Sequence, residues 1–191
     1  MQVGAHTARS ESRRTHCGSR PAVRLSDISV QGGQYSARIT PEGRTVVFAA
    51  APNGGFLFGL FAVPIDGSAP PVRLDAPSGA NYNLNYGKVE LSPTGATVYY
   101  LASQNGAQEL YSVPIQGGVP PTRVNAPLVA GGNVVDFKVG PGTGEVLYRA
   151  DQDQDDVFEL YLSEMYGSST VPNHGTPSSP PGPGTRTVHV P

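Results

Sequence analysis

Residues 109–118 read ELYSVPIQGG. Fifty positions earlier the chain reads GLFAVPIDGS (59–68), and fifty positions later it reads ELYLSEMYGS (159–168). A string that returns at a fixed spacing marks a structural unit that is itself repeated, so the period decides the fold. Upstream of the string, ARITPEGRTVVFAA (37–50), VELSPTGATVYYLA (89–102) and FKVGPGTGEVLYRA (137–150) align. Pro41, Pro93 and Pro141 fall in register, each followed by a valine (Val46, Val98, Val146), an aromatic (Phe48, Tyr100, Tyr148) and a closing alanine (Ala50, Ala102, Ala150). Downstream, PPVRLDAP (70–77) matches PPTRVNAP (120–127), with Arg73 opposite Arg123. The spacing is 52 residues from Pro41 to Pro93 and 48 from Pro93 to Pro141.

Each repeat holds four short apolar runs. TVVFAA, TVYYLA and EVLYRA are rich in β-branched and aromatic residues and have the length of an ordinary strand. The TPEG and SPTG linkers carry the residues of a type I turn, and IDGS and IQGG place glycine where a left-handed backbone is cheap. The whole chain has 191 residues with 24 Gly and 19 Pro, which favours many short elements over long helices. Within ELYSVPIQGG, Leu110 with Ser112 and Tyr111 with Val113 fall on opposite faces of a strand. Their apolar character on both sides predicts a sheet packed between neighbours.

A four-stranded antiparallel unit repeating every 40–50 residues or so is the signature of a β-propeller blade. The order proline–glycine turn, β-branched and aromatic strand, leucine–aromatic pair, V-P-I with glycine, then arginine resembles the WD40-like, TolB-type propeller repeat. That repeat also occurs in the propellers of prolyl-oligopeptidase-like enzymes. The resemblance covers residues 22–166. The third copy departs at its turn, PGTG, and where LSEMYG replaces the V-P-I segment. It implies an all-β fold of about three blade-equivalents in an incomplete or open ring. The blades are expected at about 36–86, 87–134 and 135–167, with AVRL (22–25) as an additional outer strand that completes the last blade. Closed propellers have 4–8 blades, so the chain is read either as part of a longer propeller, the favoured reading, or as half of a ring made by two copies. Exposed blade edges would then drive self-association.

The ends differ from the middle. Residues 1–21 and 168–191 are polar or Pro/Ser/Gly-rich and are expected as disordered tails. The net charge of −2 offers nothing to a nucleic acid or an anionic membrane, and no apolar run is long enough to span a bilayer. A secretory signal is not visible at the N-terminus, and a periplasmic or secreted location rests on the family resemblance alone. The one cysteine, Cys17, leaves no internal disulfide framework.

His6, His16, His174, His189 and Cys17 all lie in the tails, so the repeats hold neither the usual general base nor soft metal ligands. There is no G-x-S-x-G elbow either, and no catalytic residue or cofactor is assigned. Three features remain. Asp151, Asp153 and Asp155 stand at the D-x-D-x-D spacing that opens a calcium loop, but Asp156 replaces its glycine and Leu162 its closing glutamate. The favoured reading is a solvated polar hairpin, with weak Ca2+ binding as the alternative. Arg73 and Arg123, being repeat-equivalent, are expected to cap or pair within their blades. The segment SGANYNLNYG (78–87), with Tyr82, Asn83 and Tyr86, reads as an inter-blade loop, opposite LVAGGNVV (128–135). Those residues either contact a partner or carbohydrate or pack between blades.

Two functions follow from the resemblance. One is a non-enzymatic propeller that serves as a TolB-like protein-interaction scaffold. The alternative is a fragment of the regulatory propeller of a larger prolyl-oligopeptidase-like peptidase whose catalytic domain lies elsewhere.

Overall fold

A computed structural model of the chain describes residues 22–25, 36–51, 58–75, 83–104, 106–142, 144–164 and 185–187. Among them are twelve strands and no helix, arranged as three four-stranded antiparallel sheets. Blade 1 comprises β1 (Ala37–Ile39), β2 (Thr45–Ala50), β3 (Gly59–Pro64) and β4 (Val72–Arg73). Blade 2 comprises β5 (Asn83–Leu91), β6 (Thr97–Gln104), β7 (Ala107–Pro114) and β8 (Thr122–Arg123). Blade 3 comprises β9 (Val134–Val139), β10 (Glu145–Ala150), β11 (Glu159–Glu164) and β12 (Thr185–Thr187). In each sheet the strands lie side by side in chain order, which is the meander of a propeller blade. The fold is that of an incomplete propeller whose ring is not closed.

The turns form where the repeat predicts them. Gly43 N donates to Thr40 O and Gly95 N to Ser92 O, both at 2.8 Å, so the TPEG and SPTG segments close as four-residue turns. The Thr40 and Ser92 side-chain oxygens then accept from Thr45 N and Thr97 N, both at 3.1 Å, and fasten each turn to the next strand. Gly67 and Gly117 sit at φ 70° and 65°, the left-handed backbone expected in IDGS and IQGG. Gly95 has a further role: a Cβ there would lie 2.8 Å from Pro41 Cδ, so the first turns of blades 1 and 2 meet at this residue.

Strand pairing assigns side chains to faces. Val47 pairs with Ala62 and Ala49 with Leu60, giving one face of blade 1. It packs on Val89, Val98, Tyr100, Ala102 and Val113 of blade 2 in one buried cluster. The other face of blade 2, with Tyr99, Leu101 and Leu110, packs on Phe137, Val146, Tyr148, Ala150 and Tyr161 of blade 3. Neither cluster holds residues of both blade 1 and blade 3. As the alternation in ELYSVPIQGG requires, Leu110 and Val113 lie on opposite faces and both are fully buried. In every blade an aromatic on the second strand stacks on one on the third: Phe48 on Phe61, Tyr100 on Tyr111 and Tyr148 on Tyr161, with centroids 5.7, 5.8 and 5.3 Å apart.

Polar contacts join the first strands of blades 2 and 3. Lys88 Nζ lies 2.7 Å from Asp136 Oδ1, and Lys138 Nζ 2.6 Å from Glu90 Oε1. Glu90 Oε2 also accepts from Val139 N at 3.0 Å. The hydrogen bond from Lys88 is the main cause that holds the Asp136 carboxyl below its ordinary value. Both ion pairs are partly exposed, so their contribution is modest.

Three expectations change. Thr185–Thr187, expected within a disordered tail, forms β12 and pairs with β11, Tyr161 opposite Thr187 and Ser163 opposite Thr185. Blade 3 therefore takes its fourth strand from the C-terminal side. Residues 22–25, expected as an outer strand, pair with none of the described strands. Residues 83–87, expected in a loop, begin β5, whose pairing with β6 jumps from Asn85 to Val89 across a bulge. The rest of the tail segments lies outside the described residues.

The open face of blade 3 has a measurable consequence. Leu60, Leu110 and Leu160 are repeat-equivalent; the first two are fully buried and Leu160 is 37% exposed. Leu110→Ala should cost about 3 kcal/mol in urea denaturation, whereas Leu160→Ala should cost under about 1 kcal/mol. The Asp136 contribution has a defined pH window. Its native pKa is lowered, so its stabilisation is present above the unfolded value, about pH 4, and fades as pH falls through the native value. Thermal melts across the acid range should show that loss in the wild type, and Lys88→Met should flatten it.

Candidate functional site

The residues with the most chemical potential gather at one end of blades 2 and 3, where the hairpin between β10 and β11 (residues 151–158) meets the loop 128–133. Asp151 is 2% exposed. Its Oδ1 accepts from Asn133 N, and its Oδ2 from Asp156 N at 3.2 Å. Asp156 sits at φ 63°, a left-handed conformation that aspartate tolerates, and Val157 N donates to Gln154 O at 3.1 Å to close the turn. Asp155 reaches back over Gly131. A Cβ at that glycine would stand 2.7 Å from both Asp155 oxygens, so a side chain there would displace the carboxylate from this position.

The carboxylates that converge are therefore those of Asp151, Asp155 and Asp156, with one oxygen from each lying within 4.8 Å of the others. The alternate-residue spacing that selects Asp151, Asp153 and Asp155 does not describe them. Asp153 leaves the group, and its Oδ2 accepts from the Tyr161 hydroxyl at 3.2 Å. Three carboxylates at this separation have the chemistry to hold a hard cation. Both oxygens of the one buried member are already acceptors for backbone N–H groups, and that role needs no ion. It brackets the hairpin to the inter-blade loop.

A chain of amides continues the bracket toward blade 2. Asn133 Oδ1 accepts from Gln108 N at 2.9 Å, Gln108 Nε2 donates to Val134 O at 2.6 Å, and Asn85 Nδ2 donates to Gln108 Oε1 at 3.1 Å. On the next layer the Tyr148 hydroxyl donates to Gln152 Oε1 at 2.7 Å. Asn85, Gln108 and Asn133 carry no sequence motif. Their one visible signal is that each stands at the end of an apolar strand, where polar side chains must satisfy exposed backbone groups.

The other singled-out residues resolve as follows. Arg73 pairs with Asp75 at 2.9 Å and lies 5.9 Å over the Phe61 ring. Arg123 pairs with Glu109 at 3.0 Å, and that same carboxylate accepts from the Tyr111 hydroxyl at 2.7 Å. Both arginines thus pair within their own blades. Burial first, and the neighbouring Glu109 or Glu159 second, raise the Tyr111 and Tyr161 hydroxyls well above the ordinary tyrosine value, so both keep their protons at neutral pH. Asn83 opens β5 and is exposed, with Ser103 opposite it. Tyr82 lies outside the described residues, as does the side chain of Tyr86.

No family model matches the chain, and no curated protein sequence matches it. Among solved structures it is similar to a variant of the AtxE2 isopeptidase with Astexin3-dC4 bound, at 16% identity and a TM-score of 0.44, over 59% of this chain and 20% of that one. It is also similar to TolB from Acinetobacter baumannii, at 13% identity and a TM-score of 0.45, over 67% of this chain and 29% of that one. The chain thus spans less than a third of either protein. Neither similarity assigns a function, and the blade architecture rests on the sheet order and register given above.

The bracket role of Asp151 is testable without a metal. In the presence of EDTA, Asp151→Ala should lower stability by about 1–3 kcal/mol, because two buried or half-buried N–H groups lose their acceptor. Asp155→Ala should change it by under about 0.5 kcal/mol, as for an exposed substitution. Equal losses from the two variants would contradict the bracket.

Proposed function

We propose that this chain is a non-catalytic β-propeller segment of the TolB-type repeat family and that it serves as a protein-interaction scaffold. The observation that supports this most is the outer face of blade 3. Leu147 pairs with Leu162 and Arg149 with Leu160 on that face, and Phe158 lies beneath the Arg149 guanidinium at 5.4 Å. Leu147, Phe158 and Leu160 are 39%, 45% and 37% exposed, although their repeat-equivalent positions in blade 2 include the buried Tyr99 and Leu110. An apolar sheet face rimmed by Arg149, Asp136 and Lys138 suits a protein surface with its own apolar centre and polar rim. The polar groups inside the blades support the same reading, since the arginine, tyrosine and aspartate side chains there are engaged in structural hydrogen bonds.

Affinity purification of the wild type and of Leu160→Asp from cells that express the chain tests the proposal. A partner recovered with the wild type should fall by tenfold or more with Leu160→Asp, while the melting temperature stays within a few degrees. Equal recovery by both proteins would remove the outer face as the interaction surface. Labelling of the purified chain by a fluorophosphonate probe would replace the scaffold reading with a hydrolase.

A further inference from the structure

Strand register lays out the face of blade 3 that points away from blade 2. Val146, Tyr148, Ala150 and Tyr161 pack toward blade 2, so the alternate residues point outward. Along β10 these are Glu145, Leu147 and Arg149, and opposite them along β11 stand Glu164, Leu162 and Leu160. Two glutamates therefore share one end of the face, leucines fill its middle, and Arg149 lies over the Phe158 ring at the other end. Glu145 and Arg149 are exposed, and neither forms an ion pair among the described residues. Four residues of strand separate them by about 13 Å, too far for them to pair with each other. Asp136 and Lys138 on the neighbouring strand are already held by Lys88 and Glu90 of blade 2. Arg186 stands opposite Leu162 at the β12 border of the face.

A surface that covers this face has to bring apolar contact to its middle, a carboxylate to Arg149 and a cation to Glu145. The free face of blade 1, which a head-to-tail copy would present, pairs Val46 with Val63 and Phe48 with Phe61, and neither β2 nor β3 carries a charge. Against it Glu145 and Arg149 would both lose water and gain no partner, which is unfavourable. The outer face of blade 3 is instead complementary to itself. A two-fold axis that lies between two such sheets and crosses the strands at Leu147 sets β10 antiparallel on β10 of the other copy. Leu147 then meets Leu147, Leu162 meets Leu162, and Arg149 of each copy meets Glu145 of the other, with Glu164 one strand away. The symmetry forms that ion pair twice.

We propose that the outer face of blade 3 is the interface of a symmetric dimer, and that its occupant is the same face of a second copy of this chain. The inference rests on the reading of this face as an interaction surface and names the partner. The two sheets stack about 10 Å apart with their strands within about 30° of antiparallel, the ordinary geometry of aligned sheet packing. The leucines form the dry centre, and the charges of Lys138 and Arg186 fall at the rim. An isologous contact uses up the face on both copies, so the assembly stops at two.

Sedimentation velocity of the full chain from micromolar to submillimolar protein should show a monomer–dimer equilibrium. Glu145→Arg and Arg149→Glu each set like charges against each other twice per dimer, and each should raise the dissociation constant roughly tenfold or more. The double variant restores opposite charges and should regain most of that loss, which a misfolded chain would not do. A second measurement locates the axis. In a Cys17→Ser background, a short bismaleimide should link Leu147→Cys into covalent dimers and leave Val119→Cys, a position 51% exposed in the outer turn of blade 2, unlinked. A wild type that stays monomeric throughout, a double variant no tighter than the single ones, or equal linking at 147 and 119 would each overturn the proposal. A monomeric chain that recovers a different protein through Leu160 would overturn the second copy alone, and the face would stand as an interaction surface. A dimer undisturbed by Leu160→Asp and by the charge variants would overturn this interface, whereas the reading of the face itself fails only on equal recovery in the affinity purification.

Discussion

Leu101 and Leu110 cover one face of blade 2, Tyr100 and Val113 cover the other, and all four are fully buried. A sheet that is apolar on both faces is stable in water only between two other layers, and the side chains of blades 1 and 3 supply them. Each fully buried leucine or valine contributes about 1.5–3 kcal/mol relative to an exposed one. Removing either neighbour would therefore expose a row of such residues together. The order of the three blades follows from this requirement more than from any contact at their ends.

Packing of the faces leaves the outer strands weakly held, because β4 and β8 are only two residues long. Side chains make up the difference. Asp75 and Asn125 accept from the third strand just beyond the last ladder bond, and Arg73 and Arg123 tie the fourth strand to an aromatic or a carboxylate on the third. The inner turns are fastened in the same way by Thr40 and Ser92, whereas the third copy has Gly140 at that position, with no side-chain oxygen to offer, and its Gly140 N donates to Glu145 O at 2.8 Å. Polar residues in the repeat thus serve chiefly to close strands. The acidic hairpin of blade 3 belongs with them, since Asp151 holds the backbone of Asn133 and Asp156.

Much of this was legible in the sequence because each of the relevant signals is local. TVVFAA and EVLYRA coincide with β2 and β10, and the Pro–Gly turns close where their residues require. What was not legible depends on a partner strand. TRT sits in a Pro/Ser/Gly-rich segment with nothing to bury, and it becomes β12 through the edge that β11 offers. AVRL has the composition of a fourth strand, but composition cannot supply the neighbour it would pair with. Asn83–Gly87 extends β5 because a bulge lets the strand continue through polar residues. In the acidic hairpin, spacing alone selected Asp153, whereas the left-handed turn at Asp156 brings that residue in and leaves Asp153 facing Tyr161.

The departures between repeats carry the information that the matches cannot. Ala49, Leu101 and Arg149 occupy one position in three successive units, and Tyr99 and Leu147 occupy another. The strand geometry is the same in each blade, so the differences reflect what lies against the face. Ala49 and Leu101 are buried against a following blade, and Arg149 faces outward over Phe158. Arginine at that position is tolerated because its guanidinium keeps access to water while its stem and the ring beneath it cover apolar surface. A further blade of the blade 1 type packed flat on that face would desolvate the charge at a cost of several kcal/mol unless it brought a carboxylate. Whatever surface covers blade 3 must therefore be apolar opposite Leu147 and Leu160 and acidic or wet opposite Arg149, a requirement that neither of the two interfaces within this chain imposes.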